Sequence, residues 1–448
     1  ETEIKAAKKK LKSGLMWPDD TNDIESWRAQ LSKAFPVGHK EVINTSARLS
    51  KALAEYAIGI KHVIPKIYFI ESDEGPIHRL HNAFRESLIK DLTITDFADM
   101  VAQTITYGLF SSRATGLESI SIDSLSNCMP SSNPFLSSLF LEFSKLAGNG
   151  PTELDFDELG LDELIQMLNT AKIDHIVEGF GTQFKGGKED PVIHFYEKFL
   201  SDYDNKLKFN RGVFYTPKPV VSFIVRSIDN KLRNDYFLED GLADISTWGE
   251  VIQKNPGLSL PNTSSTNEPF VMILDPATGT GTFVVEVIYL IYETMMLKWN
   301  NVSKLEKKAL WNNYVVENLL PRLYSYEIMM APYVIAHLKI NLALMDTGFD
   351  IDSDCRINTY LTNSLEDKAD LANWVPDYLS MEHKRVSKVK QNVFFTILIG
   401  NPPYSNFGKT NDNQFINNLI SYYKKGLNET KLNLNDDFQE VEPEDMGD

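Results

Sequence analysis

The sequence predicts an α/β fold: a doubly wound parallel sheet preceded by a mostly helical domain. Three observations predict it. Apolar residues recur at helical spacing up to about residue 205. From about residue 212, short apolar runs alternate with helical stretches, the pattern of strands joined by crossover helices. The first apolar run ends in a Gly-rich turn that opens directly into a helix.

In the first half, Leu49, Leu53 and Ala57, and then Phe97, Val101, Ile105 and Leu109, fall on single helix faces. A scaffold or partner surface is the natural role of such helices. His78 and His81 can share a helix face and hold a metal. With no third ligand in view, a satisfied or solvated pair is the expected reading, and no metal site is assigned. Lys206, Lys208 and Arg211 read as a solvated connector, with phosphate contact the lesser option.

In the second half, the expected strands are Phe270–Leu274, Leu323–Ile328, Arg356–Leu361 and Val393–Ile399. Thr282–Leu297 is the helix after the first strand, with Phe283, Val287 and Ile291 on one face. An extra helix is expected over Ser303–Asn318. Pro332 suits the first turn of the helix after the second strand, because the N–H it lacks would have no partner there. Residues 257–269, rich in Ser, Thr, Asn and Pro, read as a mobile surface loop. The expected organisation is a helical domain over 1–205, a catalytic domain over 206–430 and an acidic, disordered tail over 431–448.

Composition excludes several classes. The 42% hydrophobic and 24% charged content is that of a globular protein. Two cysteines, Cys128 and Cys355, cannot build a disulfide framework, so a reducing, cytoplasmic setting is expected. No run is long and apolar enough to span a membrane, and no apolar core follows Lys8–Lys10 to make a secretory signal. The net charge is −17, of which the segment from Glu429 supplies −7 through eight acids and one lysine. A nucleic-acid partner would therefore need a local basic surface or a further part of the chain.

Four elements carry chemistry. The first is Asp275-Pro276-Ala277-Thr278-Gly279-Thr280-Gly281-Thr282-Phe283. Its glycines let the backbone approach a ligand, and the helix that follows presents free N–H groups. A ligand-free β–α turn is the alternative. The loop has no Gly-Lys-Ser/Thr, which excludes an ATP loop, and no third glycine in dinucleotide spacing. The second element is Glu327, at the end of the next strand, where a carboxylate can accept from both hydroxyls of a ribose. It lies far more than the ~20 residues of a dinucleotide unit beyond Asp275, and by itself it reads as an exposed strand-end acid. The third is Asn363, just past the third strand. Its amide can read an adenine edge or simply close a turn.

The fourth element is Asn401-Pro402-Pro403-Tyr404, after the last strand and Gly400. An aromatic exocyclic amine is a poor nucleophile because its lone pair is delocalised into the ring. Two acceptors that hold both N–H groups favour a pyramidal, reactive nitrogen. The side-chain oxygen of Asn401 and the carbonyl of Pro402 can be those acceptors. Proline holds the preceding residue extended, and two prolines fix φ and remove competing donors. Tyr404 offers a face on which an extruded base can stack, worth about 1–3 kcal/mol. An ordinary Asn-Pro-Pro turn is the alternative.

Together with Arg211-Gly212-Val213-Phe214-Tyr215-Thr216-Pro217, these motifs resemble, in order, those of N6-adenine DNA methyltransferases with the gamma order. The chain is most similar to the methyltransferase region of type ISP restriction-modification enzymes. The segments Asp96–Ile105 and Asp190–Glu197 resemble that family's coupler and linker. The resemblance spans roughly residues 45–438. It implies a Rossmann-like S-adenosylmethionine-dependent methyltransferase sheet acting on a flipped adenine in double-stranded DNA. Phe214, Tyr215, Thr216 and Pro217 would close over the methionine part of S-adenosylmethionine. Asp275, Ala277, Thr278, Gly279, Gly281 and Thr282 would line its loop, and Glu327 would hold the ribose. Asn363, where many relatives carry Asp, would meet the adenine ring. Asn401, Pro402, Pro403 and Tyr404 would form the catalytic loop.

The family's acid-acid-Lys nuclease signature and its ATP loop are not found in the sequence. The family continues beyond Leu434–Phe438 with further strands and a target-recognition domain, and this chain begins at Glu1 rather than Met. A fragment, a truncated product, or a chain completed by a specificity subunit or further restriction-system domains is expected, with an incomplete sheet. Two other readings compete: a catalytically idle subunit that keeps the cofactor site, and a methyltransferase of protein glutamine or RNA.

Overall fold

The computed structural model describes residues 42–89, 91–121, 132–146, 159–186, 191–203, 216–261, 264–350, 355–365 and 377–402. Phe214, Tyr215, Pro403, Tyr404, Cys128, the connector basic cluster and the acidic tail lie outside them.

The first half is helical among the described residues: α1 (Ser46–Ile70), α2 (Pro76–Ser87), α3 (Ile94–Ala114), α4 (Pro134–Leu146), α5 (Leu161–Thr170), α6 (Ile173–Gly186) and α7 (Pro191–Tyr203). Leu49, Leu53 and Ala57 of α1 are buried, as the helical spacing predicts. Helix α3 is the central element and is buried from Phe97 to Ala114. Thr93 caps it by accepting from the Asp96 N–H at 3.1 Å. Its hydroxyls survive burial by bonding their own helix: Thr104 to Met100 O at 2.7 Å, Thr106 to Ala102 O at 2.8 Å and Ser112 to Gly108 O at 3.0 Å.

The second half begins with α8 (Lys218–Asp235) and α9 (Trp248–Lys254), then alternates strands and helices. The elements are β1 (Ile273–Asp275), α10 (Thr282–Lys298), α11 (Lys304–Tyr314), β2 (Leu323–Glu327), α12 (Met330–Asp346), β3 (Asn358–Leu361), α13 (Asp377–Asn392) and β4 (Ile397–Leu398). All described strand pairs are parallel, in the order β3-β2-β1-β4. The strands are shorter than the apolar runs predicted. The extra helix, capped by Ser303 and Glu306, is followed by a π segment over Val315–Leu319. The 257–269 stretch is pinned at its far end, where Thr247 bridges Pro269 and the Trp248 N–H donates to Glu268 O at 2.9 Å.

Helix α12 joins the halves. Tyr333, Ile335, Leu338 and Leu342 belong to the core of the helical half, and Ile340, Ala343 and Leu344 to the core beneath the sheet. A helix apolar all round is one with neighbours on every side. The junction is also bonded: the Tyr333 hydroxyl donates to Asn133 Oδ1 at 2.9 Å and Asn341 Nδ2 to Ser132 Oγ at 3.0 Å.

Candidate active site

Strands β1, β2 and β3 step in one direction across the sheet, and β4 lies on the other side of β1. The order therefore reverses at β1. In open parallel sheets a ligand crevice forms at such a reversal, outside the carboxyl ends of the strands. The Asp275 loop leaves β1 there, and Asn401-Pro402 leaves β4 beside it, because Leu274 pairs with Leu398. Gly400 permits the closeness: a Cβ on it would fall 2.7 Å from Asp275 Oδ1. The Thr216 end of the Arg211–Pro217 motif reaches the same place, since Asn401 Nδ2 donates to Thr216 Oγ1 at 3.0 Å. Thr216 and Pro217 lead into α8, with Pro217 at its cap position.

The Gly-rich loop is held from three sides. The Thr278 N–H donates to Tyr326 O at 2.9 Å. The Gly279 N–H donates to Glu327 Oε2 at 2.8 Å, while Glu327 Oε1 accepts from Ile328 at 2.9 Å and Met329 at 2.8 Å. Gly281 precedes α10 with φ 79°, and a Cβ on it would lie 3.3 Å from Ala336 of α12. Both the left-handed backbone and the close approach demand glycine. Thr282 opens α10 and accepts from Lys339 Nζ at 3.1 Å; Lys339 is fully buried.

Two carboxyls sit here out of water. Burial pushes Asp275 up to about 7, against the opposing Ala277 N–H, which donates to its Oδ1 at 3.2 Å, and the nearby Glu327 charge adds to the rise. Burial also pushes Glu327 up to about 7, opposed by its three backbone N–H partners. The Thr278 hydroxyl lies near enough to Asp275 to favour its charge. Yet Thr278 Oγ1, Asp275 Oδ2 and Thr280 Oγ1 are buried without hydrogen-bond geometry to any described residue. Buried polar atoms are nearly always paired, so these three leave hydrogen-bonding capacity open in and beside the Gly-rich loop.

Asn363 takes the turn geometry: its Oδ1 accepts from the Leu365 N–H at 3.1 Å. Its carbonyl accepts from Lys390 Nζ at 2.6 Å, and that ammonium lies 5.7 Å from the Tyr326 ring centroid. Ser364 donates to Pro276 O, tying the β3 turn to the β1 loop. The histidines of α2 each bond within the fold through one ring nitrogen, although His81 Nδ1 is buried without a partner among the described residues. His78 Nδ1 meets Glu71 Oε1 at 2.9 Å and its ring stacks on Tyr68, while His81 Nε2 bonds Leu92 O at 2.8 Å. Among the described residues no group of three potential ligands could hold a metal.

Glu327 departs from the sequence expectation in one respect. An exposed strand-end acid was the plain alternative, but the carboxyl is buried and consumed by backbone donors. Sequence reasoning also passed over Gly400, Lys339 and Thr280. Gly400 was legible as the small residue between the strand and the motif. Lys339 was not, because nothing in a helical pattern announces a buried lysine.

Residues 187–237 match the family model described as N-6 DNA Methylase, a stretch that includes the Arg211–Pro217 motif and α8. No curated protein sequence matches the chain. Among solved structures, the ATP-dependent type ISP restriction-modification enzyme LlaBIII bound to DNA is similar over 90% of this chain and 24% of its own, at 19% identity and TM-score 0.55. A nuclease-deletion mutant of the type ISP enzyme LlaGI in complex with a DNA substrate mimic is similar over 87% and 26%, at 21% identity and TM-score 0.50. A DrdV–DNA complex is similar over 89% and 34%, at 19% identity and TM-score 0.50. At these identities the likeness establishes a shared fold. The chain spans from 24% to 34% of those three chains. Its motifs resemble those of an N6-adenine methyltransferase, and its fold is that of a region of type ISP enzymes.

Proposed function

We propose that this chain carries the S-adenosylmethionine site and catalytic loop of an adenine-N6 DNA methyltransferase from a restriction-modification system. One observation carries the reading: three motifs far apart in sequence meet at the sheet's reversal point, where Asn401 touches Thr216 and Gly400 abuts Asp275. A chance Asn-Pro-Pro turn has no reason to stand there.

S-adenosylmethionine, when bound, supplies a methyl group on a positively charged sulfur. Asp275, with its buried unpaired oxygen, and the α10 N-terminus would hold its polar end. The turn through Ala277, Thr278, Gly279, Gly281 and Thr282 would shape the wall. Glu327 would hold the ribose, and to do so it must share lone pairs now given to Gly279, Ile328 and Met329. Asn363 would act through its turn. Phe214, Tyr215, Thr216 and Pro217 would cover the methionine end.

The substrate amine would be gripped by Asn401 Oδ1 and the Pro402 carbonyl. The bond to Thr216 orients the Asn401 amide, because donating Nδ2 there fixes where Oδ1 points. Pro403 and Tyr404 would complete the loop, with Tyr404 stacking on an adenine flipped from double-stranded DNA. The net charge of −17 favours a second reading, a chain that binds the cofactor but transfers methyl only with further domains.

Calorimetric titration with S-adenosylmethionine, followed by tritiated methyl transfer to duplex DNA, RNA and protein, tests both. The first reading expects binding and label in DNA adenine. Binding without transfer supports the second. Absence of binding, or label in glutamine or RNA alone, overturns the assignment.

A further inference from the structure

We propose that the solvent face of α13 is the surface that grips the phosphate backbone of duplex DNA; this rests on the DNA-methyltransferase reading above. The chain as a whole repels DNA, so binding requires a local reversal of charge. Helix α13 supplies one. Lys384, Arg385 and Lys388 are exposed, and spacings of three and four residues put them on one face, with exposed Gln391 continuing it. The helix carries one acid near them, Glu382, which is buried and already paired with Arg356 Nη2 at 2.8 Å. Lys384, Arg385 and Lys388 have no ion pair with any described residue.

Several other exposed cations are paired. Lys231 pairs with Asp235, Lys298 with Asp240, Lys198 with Asp202 and Lys308 with Asp350. On α13 three exposed cations stand together with no ion pair to any described residue, and the acid in their turn, Glu382, is engaged by Arg356. Such a face is held in place against repulsion by its packing. Val386 is buried among Leu274, Tyr326 and Tyr360, so the opposite side of the helix is anchored on the sheet.

Position and size fit a phosphate strand. Helix α13 runs between β3 and β4, and Lys390 in its last turn reaches the Asn363 carbonyl beyond β3. A ligand on this face would lie on the element that leads into the Asn401 loop. From Lys384 to Lys388 the helix rises about 6 Å, close to two base-pair rises of about 3.4 Å along the duplex axis. Lysine and arginine there act as point charge and fork, which suits backbone oxygens and carries no sequence information.

The test uses the full chain, a fluorescent duplex and two variants. One carries Lys384→Ala, Arg385→Ala and Lys388→Ala together. The control carries Lys51→Ala, Lys66→Ala and Lys254→Ala, which removes equal charge elsewhere. The proposal expects the α13 variant to lose about ten- to hundredfold in duplex affinity at low salt. The slope of log affinity against log salt should shallow by about 2–3, since each phosphate contact contributes about 0.9. The control variant should stay within about threefold of wild type. S-adenosylmethionine affinity and melting temperature should be unchanged in both. Equal losses in the two variants, or none in the α13 variant, overturn the surface while leaving the methyltransferase reading intact. Tighter DNA binding by the α13 variant overturns it in favour of the acidic segment from Glu429 as occupant. Failure of wild type to bind duplex while it binds cofactor overturns the surface alone, and failure to bind cofactor overturns the methyltransferase reading as well.

Discussion

Buried carboxylates stand in two regions of this protein, and their partners differ. In the helical half, Asp99 accepts from Lys61 Nζ at 2.9 Å, from Tyr203 Oη at 2.6 Å and from Gln103 Nε2 at 3.1 Å. At the sheet edge, Asp275 accepts one backbone N–H and leaves Oδ2 unpaired, and Glu327 accepts only backbone N–H groups. No described cation answers either, and both are pushed up to about 7. The first arrangement completes itself within the chain. The second has no countercharge among the described residues, and under the proposed function the cofactor's cation would supply it. The first set of polar groups serves the fold, and the second is the set proposed to serve a ligand.

The largest effect should come from the ligand-serving side. Asn401→Ala should lower methyl transfer about a hundredfold to a thousandfold, the usual loss for one positioned hydrogen-bonding group in a reacting site. Cofactor affinity and the unfolding midpoint should barely move. A drop in stability equal to that of a core mutation would assign Asn401 to the fold instead.

Next is Asp99→Ala, which leaves Lys61, Tyr203 and Gln103 without their shared acceptor. Because Lys61 is partly exposed, about 3 kcal/mol of stability should be lost by urea unfolding, toward the lower end for a broken buried pair. Affinity for S-adenosylmethionine in the folded fraction should be unchanged.

Asp275→Asn should move the two quantities in opposite directions. At pH 8 the native carboxyl is ionised and buried, so replacement should stabilise the ligand-free protein by about 1–2 kcal/mol. Binding of the cationic cofactor should weaken at least tenfold. A variant that loses stability at pH 8 would show that Asp275 serves the fold.

The smallest effect is in pH dependence. Both site carboxyls have raised values in the folded state, so between about 4 and 7 the folded protein holds protons the unfolded chain has released. Their contribution to stability is therefore fullest below pH 4 and is lost as pH rises through about 7. Binding a cation reverses the demand, since it favours the ionised form. Cofactor affinity should fall as pH drops below 7, by up to about tenfold per unit. Calorimetry at pH 6, 7 and 8 checks it, and an affinity flat over that range would remove the carboxyls from the binding step.

Much of the sheet half was legible because local signals agreed. The apolar run ending at Asp275, the glycines after it and the period of Thr282–Leu297 all specify a strand, a turn and a helix, and the structure holds them as β1 and α10. The central helix of the first half was legible at four positions, Phe97, Val101, Ile105 and Leu109, all buried. Its burial on every side was not, because the period of one face does not report neighbours on the others. Asn363 was balanced between ligand and turn. The choice depends on whether the Leu365 N–H lies within reach, which only backbone coordinates decide.

By itself the sequence determined the order of elements, the residue types of the proposed catalytic loop and cofactor turn, and the acidity that any DNA surface must overcome. Those are local or summed properties, readable from spacing and composition. Tertiary structure decided the rest. Parallel pairing of β1 with β4 set Asn401 beside Asp275, α12 carried Lys339 to Thr282, and packing withdrew Glu327 from water into the Gly-rich loop. Each of these joins residues tens to more than a hundred positions apart. No local propensity encodes such a meeting; it follows from which strands pair and which helix faces are buried.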